Sequence, residues 1–145
     1  MFEATFQRAG TLVRVDVLEP VSRTEWHLRE VKSTSQVKDY HVEDVAIQRW
    51  VLEGAGVRLQ RQSLMHVATS WMYQGDGDYS GLLTSEDLTD AAEPLSGEVG
   101  TWVRQAQAVL AGDEPAIAMG EHCSDPYECP FQAYCAEGEE VVEYP

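Results

Sequence analysis

The stretch Trp26–Leu52, WHLREVKSTSQVKDYHVEDVAIQRWVL, decides the fold class, because it joins a strand, a short polar link and a helix. Side chains alternate along a strand, so Trp26, Leu28, Glu30 and Lys32 share one face and His27, Arg29 and Val31 the other. Two large apolar residues therefore lead straight into a carboxylate and an ammonium on the same, buried side. Lys32 and Lys38 are the only lysines of the chain. A lysine beside a carboxylate on the inner face of a strand is costly unless it is paired or put to use.

The helix that follows points the same way. At about 100° per residue, Asp39, Glu43, Arg49 and Glu53 of the segment Asp39–Gly54 gather on a wet side. His41, Asp44, Gln48 and Leu52 gather opposite, toward the strand of Glu30 and Lys32. Polar groups turned away from water need partners. They form either a satisfied internal network or a site.

Upstream, TLVRVDVLEP reads as a strand with Leu12, Arg14, Asp16 and Leu18 on one face and Val13, Val15 and Val17 on the other. Pro20, Ser22 and Thr24 mark the connection to the next strand as a hairpin. Asp16 joins Glu30 and Lys32 only if the register sets even-numbered residues opposite even-numbered ones. A slip of one residue would turn it away.

An aspartate on one strand, Glu-x-Lys ending the next, and a helix with an inward glutamine resemble the PD-(D/E)XK nucleases. The likeness is to their RecB-like branch, which includes the CRISPR-associated iron–sulphur exonucleases. The residues that carry it are Asp16 in VRVDVL, Glu30 and Lys32 in EVKST, Gln48 in DVAIQRWVL, and the C-terminal segment HCSDPYECPFQAYC. The resemblance implies a central mixed sheet flanked by helices, an α/β or α+β core of the restriction-endonuclease kind. It implies that Asp16, Glu30 and the Val31 carbonyl hold Mg²⁺ or Mn²⁺, with Lys32 and Gln48 completing the catalytic set. Arg14 and Lys38 are the candidate phosphate contacts, and DNA is the expected partner. A catalytically inactive module of the same fold, binding nucleic acid or protein, is the alternative.

At 145 residues the chain has room for a real core. The expected organisation is one domain over 1–136, with a cysteine segment at 122–135, and an acidic tail over 137–145. Met1 runs directly into FEATFQ, without a signal peptide, and no apolar run approaches membrane-spanning length. A cytoplasmic protein with no membrane partner is expected.

The formal net charge is −15. Its distribution matters more than its total. Through Gln62 nine basic residues face nine acidic ones, whereas from Ser63 onward Arg104 stands alone against sixteen acids. The first part can still present a local positive groove, but strong general attraction to DNA is not expected.

Elsewhere, FEATFQR reads as a first strand turning at Ala9-Gly10, and Gly54 and Gly56 as the stop of the helix. VRLQRQSLMHV reads as a strand with Val57, Leu59, Met65 and Val67 on one side. A further strand is expected around SWMY, ending in the turn Gly75–Asp78. Asp87 and Thr89 look like helix-starting residues, and a helix is expected from about Leu95 to Leu110, stopped by Gly112 and Pro115.

Cys123, Cys129 and Cys135 are evenly spaced, and their density suits a loop wrapped around a metal centre. In the resembling family such cysteines, with one from an upstream segment, hold a [4Fe–4S] cluster. This chain contains neither that upstream cysteine nor the upstream helix with its metal-binding histidine. His122 adjoins Cys123 too closely to serve easily as fourth ligand. The alternative is three reduced thiols in an empty loop. The missing upstream part suggests a truncated chain, a fragment of a longer protein or a minimal relative. The candidate protein partners are the rest of a longer protein or a second copy in a homo-oligomer.

Overall fold

The computed structural model describes residues 1–137, so most of the expected acidic tail at 137–145 lies outside the described residues. Two compact units divide the chain, Met1–Gln107 and the remainder from Ala108 onward. The first holds a five-stranded sheet in the order β1-β2-β3-β4-β5. Its strands are β1 (Phe2–Arg8), β2 (Thr11–Pro20), β3 (Trp26–Val31), β4 (Leu59–Val67) and β5 (Leu83–Asp87), with helix α1 (Asp39–Gly54) between β3 and β4. Helix α2 (Thr89–Ala111) follows the sheet, and the second unit carries the short helix α3 (Gln132–Ala136). The class is α+β, a mixed sheet with helices against it, as expected.

The first three strands form an antiparallel meander, β3 and β4 run parallel, and β5 returns antiparallel to β4. Parallel neighbours need a long crossover, which α1 supplies. Ala9 and Gly10 have φ of 48° and 80°. Two successive positive values make the tight primed turn that suits a two-residue hairpin. Helix α1 stops as its glycines predict. Gly56 sits at φ 85°, its amide reaches the Glu53 carbonyl at 3.0 Å, and the Val57 amide reaches Leu52 at 3.0 Å. Those two bonds satisfy carbonyls that the end of a helix otherwise orphans.

The core is built from Val15, Leu18, Leu28 and Leu64 of the strands, Val45, Ala46 and Leu52 of α1, and Ala92 and Val99 of α2, with Leu88 between β5 and α2. This corrects two expected alternations. In β2, Val15 and Leu18 are both fully buried while Leu12 is exposed, so the pattern switches between them. There β2 passes from its ladder with β1 to its ladder with β3. In β4, Leu59 packs against the core but Met65 does not share its side, and Leu64 takes the core position. The register explains it: Trp26 pairs with Leu59 but His27 pairs with Arg61. One extra residue on β4 flips every side chain beyond it.

Three further expectations are corrected. SWMY is not a strand but part of a loop between β4 and β5, and the edge strand is Leu83–Asp87 instead. Helix α2 begins at Thr89, before Pro94, rather than near Leu95. The Asp87 carboxylate accepts the Thr89 amide at 2.9 Å, so the two polar residues do mark the helix start. Arg49 is not on a wet face. Its side chain is only 15 % exposed, because Glu53 and Glu93 pair with it and the Gln62 amide oxygen accepts from it.

Candidate active site

Glu30 ends β3 on its inner face, with 5 % of its surface exposed. Nothing on an apolar face offers a carboxylate water, so its partners must come from the chain. Oε1 lies 2.6 Å from the Lys32 ammonium, and Oε2 accepts the Gln48 amide at 2.7 Å. Lys32 also donates to Asp44 Oδ2 at 2.6 Å. The Gln48 amide reaches Asp44 Oδ1 at 3.4 Å. Asp44 and Gln48 stand one turn apart on α1, which places both over the end of β3.

Two carboxylates and one ammonium leave the cluster with a net negative charge, and the proton affinities follow. Burial pushes the Glu30 carboxyl above its ordinary range, against the bonds from Lys32 and Gln48, and the Asp44 charge adds to the rise. Burial pulls the Lys32 ammonium down, but the Asp44 and Glu30 carboxylates together outweigh it and its pKa is raised. Gln48 Oε1 is buried and, among the described residues, has no hydrogen-bond partner. Buried polar atoms normally have a hydrogen-bond partner, so this oxygen stands out.

The sequence-predicted residues divide here. Glu30, Lys32 and Gln48 come together, with Asp44 added. The register does set even residues opposite even ones, with Leu18 facing Leu28 and Pro20 facing Trp26. Asp16 lies next along that ladder, and its Oδ2 accepts the Val31 amide at 2.8 Å. It makes no bond to Lys32 or Gln48. Arg14 is paired with Glu3 at 2.7 Å on the exposed surface. Lys38 is exposed, its ammonium 5.4 Å from the centre of the Tyr40 ring.

Two histidines near this end of the sheet carry no role in the sequence reading of the site. His41 Nδ1 accepts the Lys38 amide at 3.1 Å and so covers a free donor at the start of α1. Burial, then the positive charges of Lys32 and Lys38, lower its pKa. His66 follows Met65, the partner of Val31, and pairs through Nε2 with Glu86 of β5 at 2.8 Å. Asp44 was legible as an inward residue one turn from Gln48. The His66–Glu86 pair was not, because β5 was expected elsewhere.

A second polar set crosses the sheet from β2 to β4. His27 Nε2 lies 2.9 Å from Ser63 Oγ, and its Nδ1 is 3.8 Å from Glu19 Oε2. The order of groups is that of a hydrolytic triad. Ser63, however, is 2 % exposed, and Glu19 is committed to Arg29 at 2.7 Å. The set is a buried network without access for a substrate.

Among the described residues no three His, Cys, Asp or Glu side chains converge to hold a metal ion. A cation at Glu30 would therefore draw on amide or backbone oxygens as well, such as Gln48 Oε1 and the Val31 carbonyl. In the second unit Cys123 is buried, Cys129 half-buried and Cys135 exposed, and all three are free thiols. Three thiols are one short of the four that such a cluster usually takes.

The fold and site define an α+β domain with a charged cluster at the end of a parallel strand pair. Comparisons with protein-family models, with curated proteins and with solved structures gave no match. Among the described residues no helix is long and apolar enough to cross a membrane.

Proposed function

We propose that this chain is a divalent-metal-dependent nuclease that hydrolyses DNA phosphodiester bonds, acting in exonuclease fashion on single strands. The observation that carries the reading is the Glu30–Lys32–Gln48 constellation, with Lys32 and Gln48 each on one oxygen of the same buried carboxylate. It stands at the carboxyl end of β3, beside a parallel neighbour. Ligands of open sheets gather at such ends.

The donor set suits a hard cation: the carboxylates of Glu30 and Asp16, the Val31 carbonyl, and the open Gln48 Oε1. Mg²⁺ or Mn²⁺, if held there, would supply a water of lowered pKa and offset charge on the phosphate. Gln48 fixes the Glu30 carboxylate. The Lys32 ammonium, whose raised pKa keeps it charged at neutral pH, orients the attacking water and stabilises charge on the transferring phosphate. Arg14 and Lys38 are exposed cations available for neighbouring phosphates.

A second reading has its own observation. Lys32 lies 2.6 Å from Glu30 and 2.6 Å from Asp44, the arrangement of an internally neutralised pair in a non-catalytic module of the same fold. Cleavage of a labelled single-stranded oligonucleotide with and without Mn²⁺ separates the two. Nuclease action predicts Mn²⁺-dependent cleavage that falls by about 10²-fold or more in Glu30→Ala and in Lys32→Ala, with circular dichroism unchanged. Cleavage that survives in both variants, or no Mn²⁺ uptake by the native chain, sinks the proposal.

A further inference from the structure

The loop joining β4 to β5 carries Trp71, Met72, Tyr73 and Tyr79, the last three more than half exposed. Tyr73 and Tyr79 stack with centroids 5.2 Å apart and planes 16° apart. Trp71 lies 6.1 Å from Tyr79 at 26°. Trp71 is also 6.1 Å from Tyr73, tilted at 42°, so each ring touches the other two in a compact three-ring pile. Packed on one another, the rings leave no space between them for a quaternary ammonium, which needs rings on several sides of it. Tyr73 and Tyr79 remain 51% and 60% exposed.

The pile is fixed from behind. Trp71 Nε1 donates to the Ser80 carbonyl at 2.8 Å. The Tyr73 hydroxyl accepts the Gly77 amide at 2.8 Å. Asp78 accepts the Ser80 amide at 2.9 Å. Gly75, Asp76 and Gly77 all take positive φ, the tight turn that brings Tyr79 back over Tyr73. The polar atoms of two rings are thus bound to the backbone.

Position gives the pile a use. The Val67 amide donates to the Thr34 carbonyl at 2.9 Å. The aromatic loop and the segment bearing Lys32 and Lys38 therefore leave the sheet at the same end. Within 68–82 the only charges are those of Asp76 and Asp78, so the loop itself repels phosphate. Its attraction must be for the uncharged faces of bases, with phosphates turned toward the Lys38 side. In a duplex those faces are already stacked on one another.

We infer that Trp71, Tyr73 and Tyr79 form a stacking platform for the bases of single-stranded nucleic acid leading to the Glu30–Lys32 site. The inference rests on the nuclease reading for its direction and adds the recognition of single strands. Base–aromatic stacking contributes about 1–3 kcal/mol per base, enough to matter in a chain of net charge −15 that gains little from counterion release.

The test uses the full chain with Ca²⁺ in place of Mn²⁺ and fluorescein-labelled oligonucleotides. One is a single-stranded thymidine oligomer, one the same length with abasic sites throughout, and one a duplex. The thymidine strand should bind at least tenfold more tightly than the abasic strand or the duplex. Tyr73→Ala and Tyr79→Ala should each erase about tenfold of that preference, while Phe131→Ala, an exposed ring in the second unit, changes nothing. Tyr79→Phe, which keeps the ring, should bind as the native chain does. Equal binding of thymidine and abasic strands, or unchanged binding in both alanine variants, overturns the platform. Base-dependent binding in a chain that never cleaves with Mn²⁺ upholds the platform and removes the nuclease reading instead.

Discussion

Glu30 is the residue on which most of the chemistry turns, because it is a carboxylate with almost no access to water. Its pKa is raised, first by burial. An acid that holds its proton more tightly when folded contributes stability that is full below the ordinary carboxylate range. That contribution is lost as pH rises through the raised value. Glu30→Gln keeps the shape and removes the charge. The native chain should therefore lose urea stability relative to the variant as pH climbs through the window above the ordinary carboxylate value of about 4. Midpoints that run parallel across that window would mean that burial imposes no such penalty. Lys32 adds nothing within it, since an ammonium of raised pKa is charged throughout.

At the scale of elements, α1 is what converts a strand pair into a site. It spans the parallel connection, carries Asp44 and Gln48 to the end of β3, and is closed at its far end by Gly56. An added Cβ at Gly56 would meet nothing within 4 Å, yet φ is 85°. Only backbone strain opposes the change. Gly56→Ala should lower unfolding free energy by about 1 kcal/mol with an unchanged dependence on denaturant, read from urea melts. A loss much larger than that would point to a packing role that the open space does not support. At the other end, His41 accepts the Lys38 amide only while its Nδ1 is unprotonated, and its lowered pKa preserves that state into mild acid.

Across the whole molecule, charge and cysteines are unevenly divided. The unit Met1–Gln107 holds the sheet and the candidate site with sixteen acidic residues against ten basic ones, and the remainder holds nine acidic residues, no basic one and the three thiols. Because three thiols leave a four-thiolate cluster one ligand short, aerobically purified protein should be colourless and carry less than one iron per chain. Anaerobic purification with iron analysis and a visible spectrum checks it. Stoichiometric iron with a brown chromophore would mean that His122 or a second chain completes a cluster. Single-strand binding should also show a shallow salt dependence, since Lys38 and Arg14 are the few phosphate contacts expected.

The sequence by itself determined the local elements whose signals are carried by neighbours. Ala9-Gly10 specifies a hairpin turn, Gly56 a helix stop, and the polar stripe His41–Asp44–Gln48 an inward face, because each depends on backbone preference or on helical period. It also placed Glu30, Lys32 and Gln48 in one set, since strand alternation and helix period both aim them at the same space. What only tertiary structure decided lies where strands meet. The extra residue of β4 opposite Trp26 moved Leu64 rather than Met65 into the core, and no local preference announces a bulge. SWMY has the composition of a strand, but its rings pack with Tyr79 in a loop while the polar LTSED pairs with β4. The double hold of Lys32 on Glu30 and Asp44, and the open oxygen of Gln48, arise only when α1 closes over β3. They are contacts between distant residues, and such contacts are fixed by packing rather than by sequence period.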